Sequence, residues 1–188
     1  MKTNKTMAVL VIAILGFGIA LFADQIAGPQ GGNGRGIRLL PLTEGEKASL
    51  LFMWEEEKLA RDVYINMYEM WGAPAFSNIG VSEQRHMDAV QRLLAKYQVP
   101  NPGSDNPVGL FSNPDLQSLY DELITQGSLS LKDAYLVGKS VEEKDIADLQ
   151  VALAGTAKAD LITVYTHLLN GSYNHLSAFT TLLFGSSR

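Results

Sequence analysis

The sequence contains no cysteine among its 188 residues and only three histidines. Without a thiolate the protein cannot hold an iron–sulfur cluster or a cysteine-ligated zinc ion, and it cannot use a cysteine nucleophile. Lysine and arginine total 15 against 20 aspartates and glutamates, which gives a formal net charge of −5. Because affinity for nucleic acid comes mostly from basic side chains on phosphates, this balance argues against a nucleic-acid partner.

The sequence also lacks the two-residue alternation of β-strands, and its apolar residues recur at spacings of three and four. This period predicts an all-α fold: a four-helix bundle, with a short extra helix in the connection between helices 2 and 3. Thr43 and Ser130 are the expected N-caps of the first and third long helices, and Ser77 or Asn78 that of the second. The long helices are expected at about 43–71, 77–97, 130–154 and 158–184, and the short helix at 115–125.

The N-terminus has a different character from the rest of the chain. Lys2 and Lys5 precede an uncharged apolar run over residues 7–23, which is typical of an export signal or of an uncleaved membrane anchor. Residues 24–42 are glycine-rich and are expected to form a linker to a helical domain over 43–186. We therefore expect an extracytoplasmic protein that touches a membrane only through residues 1–23, if these are retained.

Metal-ligand side chains interrupt the apolar seam of every long helix. Glu83 and His86 stand one turn apart in the second seam, and such groups are costly to bury unless they are paired or bind a metal. The middle of each of the other seams carries a similar residue, so the candidate ligands are Glu57, Glu83, His86, Glu142, Asp145 and His175. Tyr64, seven residues after Glu57, is a candidate catalytic residue that hydrogen-bonds a ligand carboxylate or acts as a redox neighbour.

Each of these residues also has a simpler interpretation. Glu55 and Glu56 beside Glu57 indicate a solvated face, and a lone histidine such as His175 is usually a satisfied core residue. The coincidence of all four seams favours a metal site over these separate explanations. His167 falls off the fourth seam and is not assigned to the site.

Several segments resemble known metalloproteins. The stretch from Glu57 to Tyr64 is similar to the first helix of rubrerythrins, and Glu83-x-x-His86 to the second. A closer resemblance, to the ferritin-like DUF2202 family, is carried by residues 54–64, 82–86, 141–146 and 171–176. The usual pattern places a second Glu-x-x-His on the fourth helix, whereas this chain has Ser172 at the glutamate position.

The resemblance implies a pair of divalent metal ions in the bundle core. Carboxylate and imidazole ligands suit iron, with manganese or zinc as alternatives. The implied activity is that of an oxidoreductase acting on peroxide, oxygen or ferrous iron, and a homo-oligomer is compatible with it. A non-catalytic structural or interaction bundle, and an extracytoplasmic metal-binding protein, are the alternatives that the sequence leaves open.

Overall fold

A computed structural model describes residues 40–185, and this part of the chain contains five α-helices and no strand. The predicted all-α class, with a short helix between the second and third long helices, is confirmed. None of the helices in the described residues is long and apolar enough to cross a membrane. The expected signal or anchor over residues 1–23 lies outside the described residues. The helices are α1 (Glu44–Trp71), α2 (Pro74–Lys96), α3 (Pro114–Gly127), α4 (Leu131–Ala154) and α5 (Ala159–Phe184).

Two helices begin at the caps that the sequence predicts. At the start of α1 the Glu46 amide donates to Thr43 Oγ1 at 3.1 Å, and the Thr43 amide donates to the Glu46 carboxylate at 2.9 Å. This reciprocal capping box satisfies two amide groups that would otherwise lack partners. At the start of α4 the Asp133 amide donates to Ser130 Oγ at 3.1 Å.

The predicted start of α2 at Ser77 or Asn78 is wrong, since the helix begins at Pro74. Proline is well suited to the first helical position, where its missing N–H has no intrahelical partner to lose. Gly72, with φ of 63°, ends α1 in the left-handed conformation that favours glycine. The turn between α1 and α2 is therefore only two residues long, which makes them antiparallel neighbours.

The four long helices surround one interior. α1 packs against α2 and α4, α5 packs against α4 and α2, and α3 lies outside against α1 and α4. α1 and α4 are antiparallel. Glu46, near the start of α1, contacts Thr156 just after the end of α4, and Tyr64, later in α1, contacts Gly138 in the first half of α4. Side chains from the middle of all four long helices therefore face each other at one depth.

The apolar core is divided into two clusters along the bundle. One cluster contains Leu50, Met53, Val90 and Leu149 with their neighbours. The other is aromatic, and its buried members include Val63, Tyr64, Phe76, Val137 and Phe179. On every long helix the candidate ligands lie in sequence between the residues of the two clusters. A buried polar layer thus separates two apolar halves, each of which keeps bulk water away from it.

A second face of α1 is also buried, beneath the loop that leads to α3. Lys58 Nζ donates to the carbonyl oxygens of Pro107 at 2.8 Å and Leu110 at 3.1 Å. Glu55 accepts the backbone amides of Ser112 and Asn113. The loop therefore satisfies its own polar backbone groups with charged side chains of α1.

The expectation that Glu55 and Glu56 form a solvated face is wrong, because both side chains are buried. Glu55 lies under the loop to α3, and Glu56 accepts a bond from Lys144 Nζ of α4 at 2.5 Å. Three consecutive glutamates of α1 thus enter three different buried environments. A helix turns by about 100° per residue, so adjacent side chains point toward different neighbours.

Candidate metal centre

Two groups of buried side chains in the polar layer have the composition of metal-binding sites. The first contains Glu57, Glu83 and His86, and the second contains Glu83, Glu142 and His175. Within each group the candidate ligand atoms all lie within 4.8 Å of one another. Three helices contribute to the second group, so its composition depends on the assembled bundle and not on one helical motif.

Glu83 belongs to both groups, and its two carboxylate oxygens are divided between them. Oε2 lies 2.7 Å from His86 Nδ1, and Oε1 lies 2.7 Å from His175 Nδ1. The two imidazole rings are inclined by 28°, with their centroids 5.7 Å apart. One carboxylate therefore lies between two histidines and presents one oxygen to each.

The remaining carboxylates extend these groups. Glu57 Oε2 lies 3.2 Å from His86 Nδ1, and Glu142 Oε2 lies 3.5 Å from His175 Nδ1. Asp145 belongs to neither group, but it is buried, and the Ser172 hydroxyl donates a short hydrogen bond to its Oδ2. The bundle thus gathers four carboxylates and two imidazoles in one layer.

Tyr64 lies beside this layer on α1. Its hydroxyl donates to Glu142 Oε1 at 2.5 Å. Burial, and then the charge of Glu142, raise the pKa of Tyr64 well above its usual value, so the phenol keeps its proton and remains a donor. The structure therefore places Tyr64 where it can orient Glu142, which is one of the two roles predicted for it.

Gly171 of α5 lies directly against the His86 ring. A Cβ atom at this position would stand 2.6 Å from His86 Nε2, which is shorter than any normal contact. α5 nevertheless continues through Gly171 without a break. The glycine thus costs the helix some intrinsic stability and lets the imidazole approach the α5 backbone.

The histidines and the shared carboxylate are arranged as opposite charges when no metal is bound. Burial opposes the charged form of His86, but its contacts with Glu57 and Glu83 raise its pKa to about 11. Burial likewise opposes the ionised form of Glu83, but its contacts with His175 and His86 lower its pKa to about 2. A protonated imidazole can therefore fill part of the space, and supply part of the positive charge, of a bound cation.

The other carboxylates are poorly satisfied by the protein alone. Burial raises the pKa of Glu57 and Asp145 well above their usual values, and raises that of Glu142 to about 7. Within the described residues Glu57 Oε1 and Asp145 Oδ1 are buried without a hydrogen-bond partner. Glu83 Oε1 and His175 Nδ1 approach to 2.7 Å without the alignment of a regular hydrogen bond. These side chains fit a metal pair.

The structure brings together all the residues that the sequence singled out, namely Glu57, Tyr64, Glu83, His86, Glu142, Asp145 and His175. Ser172, which the sequence marked only as a departure from a known pattern, is the donor that holds Asp145. His167, which lies off the predicted seam, has its ring centroid 6.1 Å from that of His86. No sequence signal places it there, because the proximity depends on the packing of α5 against α2.

The same segments place the chain among known sequences. Residues 46–185 match the family described as an uncharacterized protein domain, DUF2202. The chain belongs to the DUF2202 family. It is 46% identical over 149 residues to an uncharacterized protein of Methanocaldococcus jannaschii, MJ0754. The aligned region covers 78% of this chain and 80% of that protein. The crystal structure of MJ0754, a hypothetical protein by description, matches with a TM-score of 0.76 at 45% identity, over 79% of this chain and 85% of that one.

The metal-free DUF2202 chain is expected to lose stability as the pH rises from about 5 to about 9. The folded-state pKa values of Glu142, His175 and His86 are raised to about 7, 9 and 11, from ordinary values of 4.5, 6.5 and 6.5. Between its two values each group binds more protons in the folded than in the unfolded protein, so its contribution is present at low pH and lost as pH rises. Thermal unfolding followed by circular dichroism measures this.

Metal should reverse the trend, because its ligands bind in their deprotonated forms. The rise in unfolding temperature on adding a divalent ion is therefore expected to grow with pH. His175→Gln should flatten the metal-free profile between about pH 7 and pH 9. A metal-free unfolding temperature that rises over the whole range would contradict the protonated cluster.

Proposed function

We propose that this DUF2202 chain binds two divalent metal ions in its bundle core and acts outside the cytoplasm as an oxidoreductase. Iron is the expected metal, with manganese or zinc as alternatives, and peroxide, oxygen or ferrous iron is the expected substrate. The observation that carries the proposal is the position of Glu83, which presents one carboxylate oxygen to each of two buried histidines. A carboxylate shared in this way can bind two ions, one through each oxygen.

Charge supports the same proposal. Glu57, Glu83, Glu142 and Asp145 supply four carboxylates, whose full ionisation would balance two divalent cations. Without such cations the four groups repel one another and some must hold protons, as the raised pKa values of Glu57 and Glu142 indicate. Oxygen and imidazole donors without sulfur favour iron, manganese or zinc over softer metals.

The residues around the ligands have separable roles in this proposal. Tyr64 donates to Glu142 and fixes that carboxylate, while the Ser172 hydroxyl fixes Asp145. The two apolar clusters on either side exclude bulk water, which strengthens every electrostatic interaction inside the layer. When bound, a pair of redox-active ions supplies electron transfer to or from a small oxygen species.

A non-catalytic metal-binding bundle is the second candidate, and Ser172 is the observation that favours it. On α5, the fourth long helix, this chain has a hydroxyl where the related pattern has a carboxylate. That hydroxyl hydrogen-bonds Asp145 and the Leu168 carbonyl. A metal ion held by fewer carboxylates than in the related pattern can crosslink the helices without catalysing a reaction. Metal-dependent melting without turnover would favour this second function.

Replacing Glu142 with glutamine is expected to lower turnover about tenfold or more, because the change removes a ligand charge that Tyr64 holds in place. The assay adds ferrous iron to the iron-loaded full-length chain and follows oxygen uptake, and then follows peroxide consumption with an added reductant. The matched control is Glu143→Gln on the next residue, which pairs with Lys139 on the surface. Equal activity of the two variants would contradict the assignment of Glu142.

A further inference from the structure

His167 is the one histidine of the three that belongs to neither ligand group. Its side chain is exposed on α5, yet its ring lies nearly perpendicular to that of buried His86, with the centroids 6.1 Å apart. His167 precedes Gly171 by four residues, so the two lie one turn apart on the same face of α5. An accessible imidazole thus adjoins an imidazole of the buried centre.

The two nitrogens of His86 face different environments. Nδ1 lies 3.2 Å from Glu57 and 2.7 Å from Glu83, whereas Nε2 lies against the α5 backbone, 2.6 Å from where a Cβ of Gly171 would stand. The His86 ring therefore separates the inner carboxylates from the α5 surface that carries His167. Glycine at position 171 lets that side of the ring lie directly against the α5 backbone.

We propose that His167 is the first protein ligand of a divalent cation on its way to the centre, and that it holds the cation beside His86 until the inner carboxylates take it. The inference rests on the proposed metal-binding function. An exposed imidazole binds borderline cations such as ferrous, cobaltous or zinc ions, and it adds no negative charge that would retain them. The buried carboxylates, each carrying a formal charge, retain the cation once it arrives.

This role has a kinetic signature that a structural role lacks. A group that binds the cation only in transit is absent from the final site, so it speeds loading and release by the same factor and leaves the equilibrium affinity unchanged. If His167 instead only oriented the His86 ring, its removal would weaken the equilibrium affinity. A histidine with no role beyond solvation would change neither quantity.

The test is cobalt(II) loading of the metal-free full-length chain, followed by visible absorbance in a stopped-flow instrument, and release into excess chelator. His167→Ala is expected to slow both rates by the same factor of about tenfold, which corresponds to about 1.4 kcal/mol in the barrier. The equilibrium cobalt content should stay at the wild-type value. Thr166→Ala, at the adjacent exposed position of α5, is the matched control and should leave both rates unchanged.

Three results would overturn the inference, and they can be told apart. Unchanged rates in His167→Ala, with wild-type cobalt content, would remove the transit role and leave the proposed metal centre intact. Lower affinity with an unchanged loading rate would make His167 a positioning residue for His86. A wild-type chain that binds no cobalt, iron, manganese or zinc at equilibrium would remove the proposed function and this inference together.

Discussion

Replacing Glu83 with glutamine is expected to abolish binding of both proposed metal ions. The two ligand groups share this one side chain, with Oε2 beside His86 and Oε1 beside His175. Glutamine keeps the size and shape of glutamate, but its amide carries no charge and its NH₂ group cannot bind a cation. Each group would then retain one carboxylate and one imidazole. Loss of a residue that only hydrogen-bonds a metal ligand typically lowers metal affinity by roughly 10- to 100-fold, and the loss of Glu83 should lower it by more.

The measurement is metal content per chain after dialysis against metal-free buffer, for the wild type and Glu83→Gln. The matched control is Asp88→Asn, an exposed carboxylate five residues later on α2 that accepts a bond from Gln84. The control should keep the wild-type content, and circular dichroism should show the same helix content in all three proteins. A Glu83→Gln variant that keeps both ions would contradict the shared carboxylate, and one that keeps a single ion would confine Glu83 to one group.

Asp62→Ala is expected to give the largest loss of folding stability. Asp62 is 0% exposed and accepts bonds from Lys58 Nζ at 2.5 Å, Arg61 at 2.6 Å and the Gly109 amide at 3.0 Å. Lys58 is only 1% exposed, so removing its partner leaves a buried ammonium ion with two carbonyl contacts. Breaking such a pair typically costs about 3–5 kcal/mol, out of roughly 5–15 kcal/mol for a whole domain.

Urea unfolding followed by circular dichroism gives the free energy of unfolding for this comparison. The double variant Lys58→Met/Asp62→Asn removes both charges, nearly keeps the buried volume and leaves an acceptor for the Gly109 amide, so it should recover much of the loss. Glu69→Ala, at an exposed position of the same helix, is the control and should change the free energy of unfolding by less than about 0.5 kcal/mol. A loss below about 1 kcal/mol in Asp62→Ala would show that the pair is not essential to the loop anchored on α1.

The sequence predicted the helices, apart from the start of α2, and it predicted the carboxylates and the two histidines of the polar layer. A glutamate in the middle of an apolar seam, such as Glu57 or Glu142, must be buried if the seam faces the core, and four seams with such residues imply a common layer. The capping residues Thr43 and Ser130 mark helix starts through local bonds that need no tertiary contact. These predictions therefore depend on the helical spacing of apolar residues and on the capping residues, both of which are local in sequence.

What the sequence did not reveal depends on contacts between distant segments. The burial of Glu55 and Lys58 requires the loop before α3 to cover α1, and that loop has no period from which its path can be predicted. The bond from Ser172 to Asp145 joins α5 to α4, and the proximity of His167 to His86 joins α5 to α2. These contacts depend on how the helices pack, and the residue spacing within either helix does not predict them.

We propose above all that the polar layer of this DUF2202 chain holds two metal ions. The most direct test is the metal content of the full-length wild-type protein, produced with iron, manganese and zinc all available and measured by plasma mass spectrometry. The account predicts about two equivalents of metal per chain, mostly iron, for a layer of four carboxylates and two histidines. A well-folded helical protein that carries no metal under these conditions would contradict it.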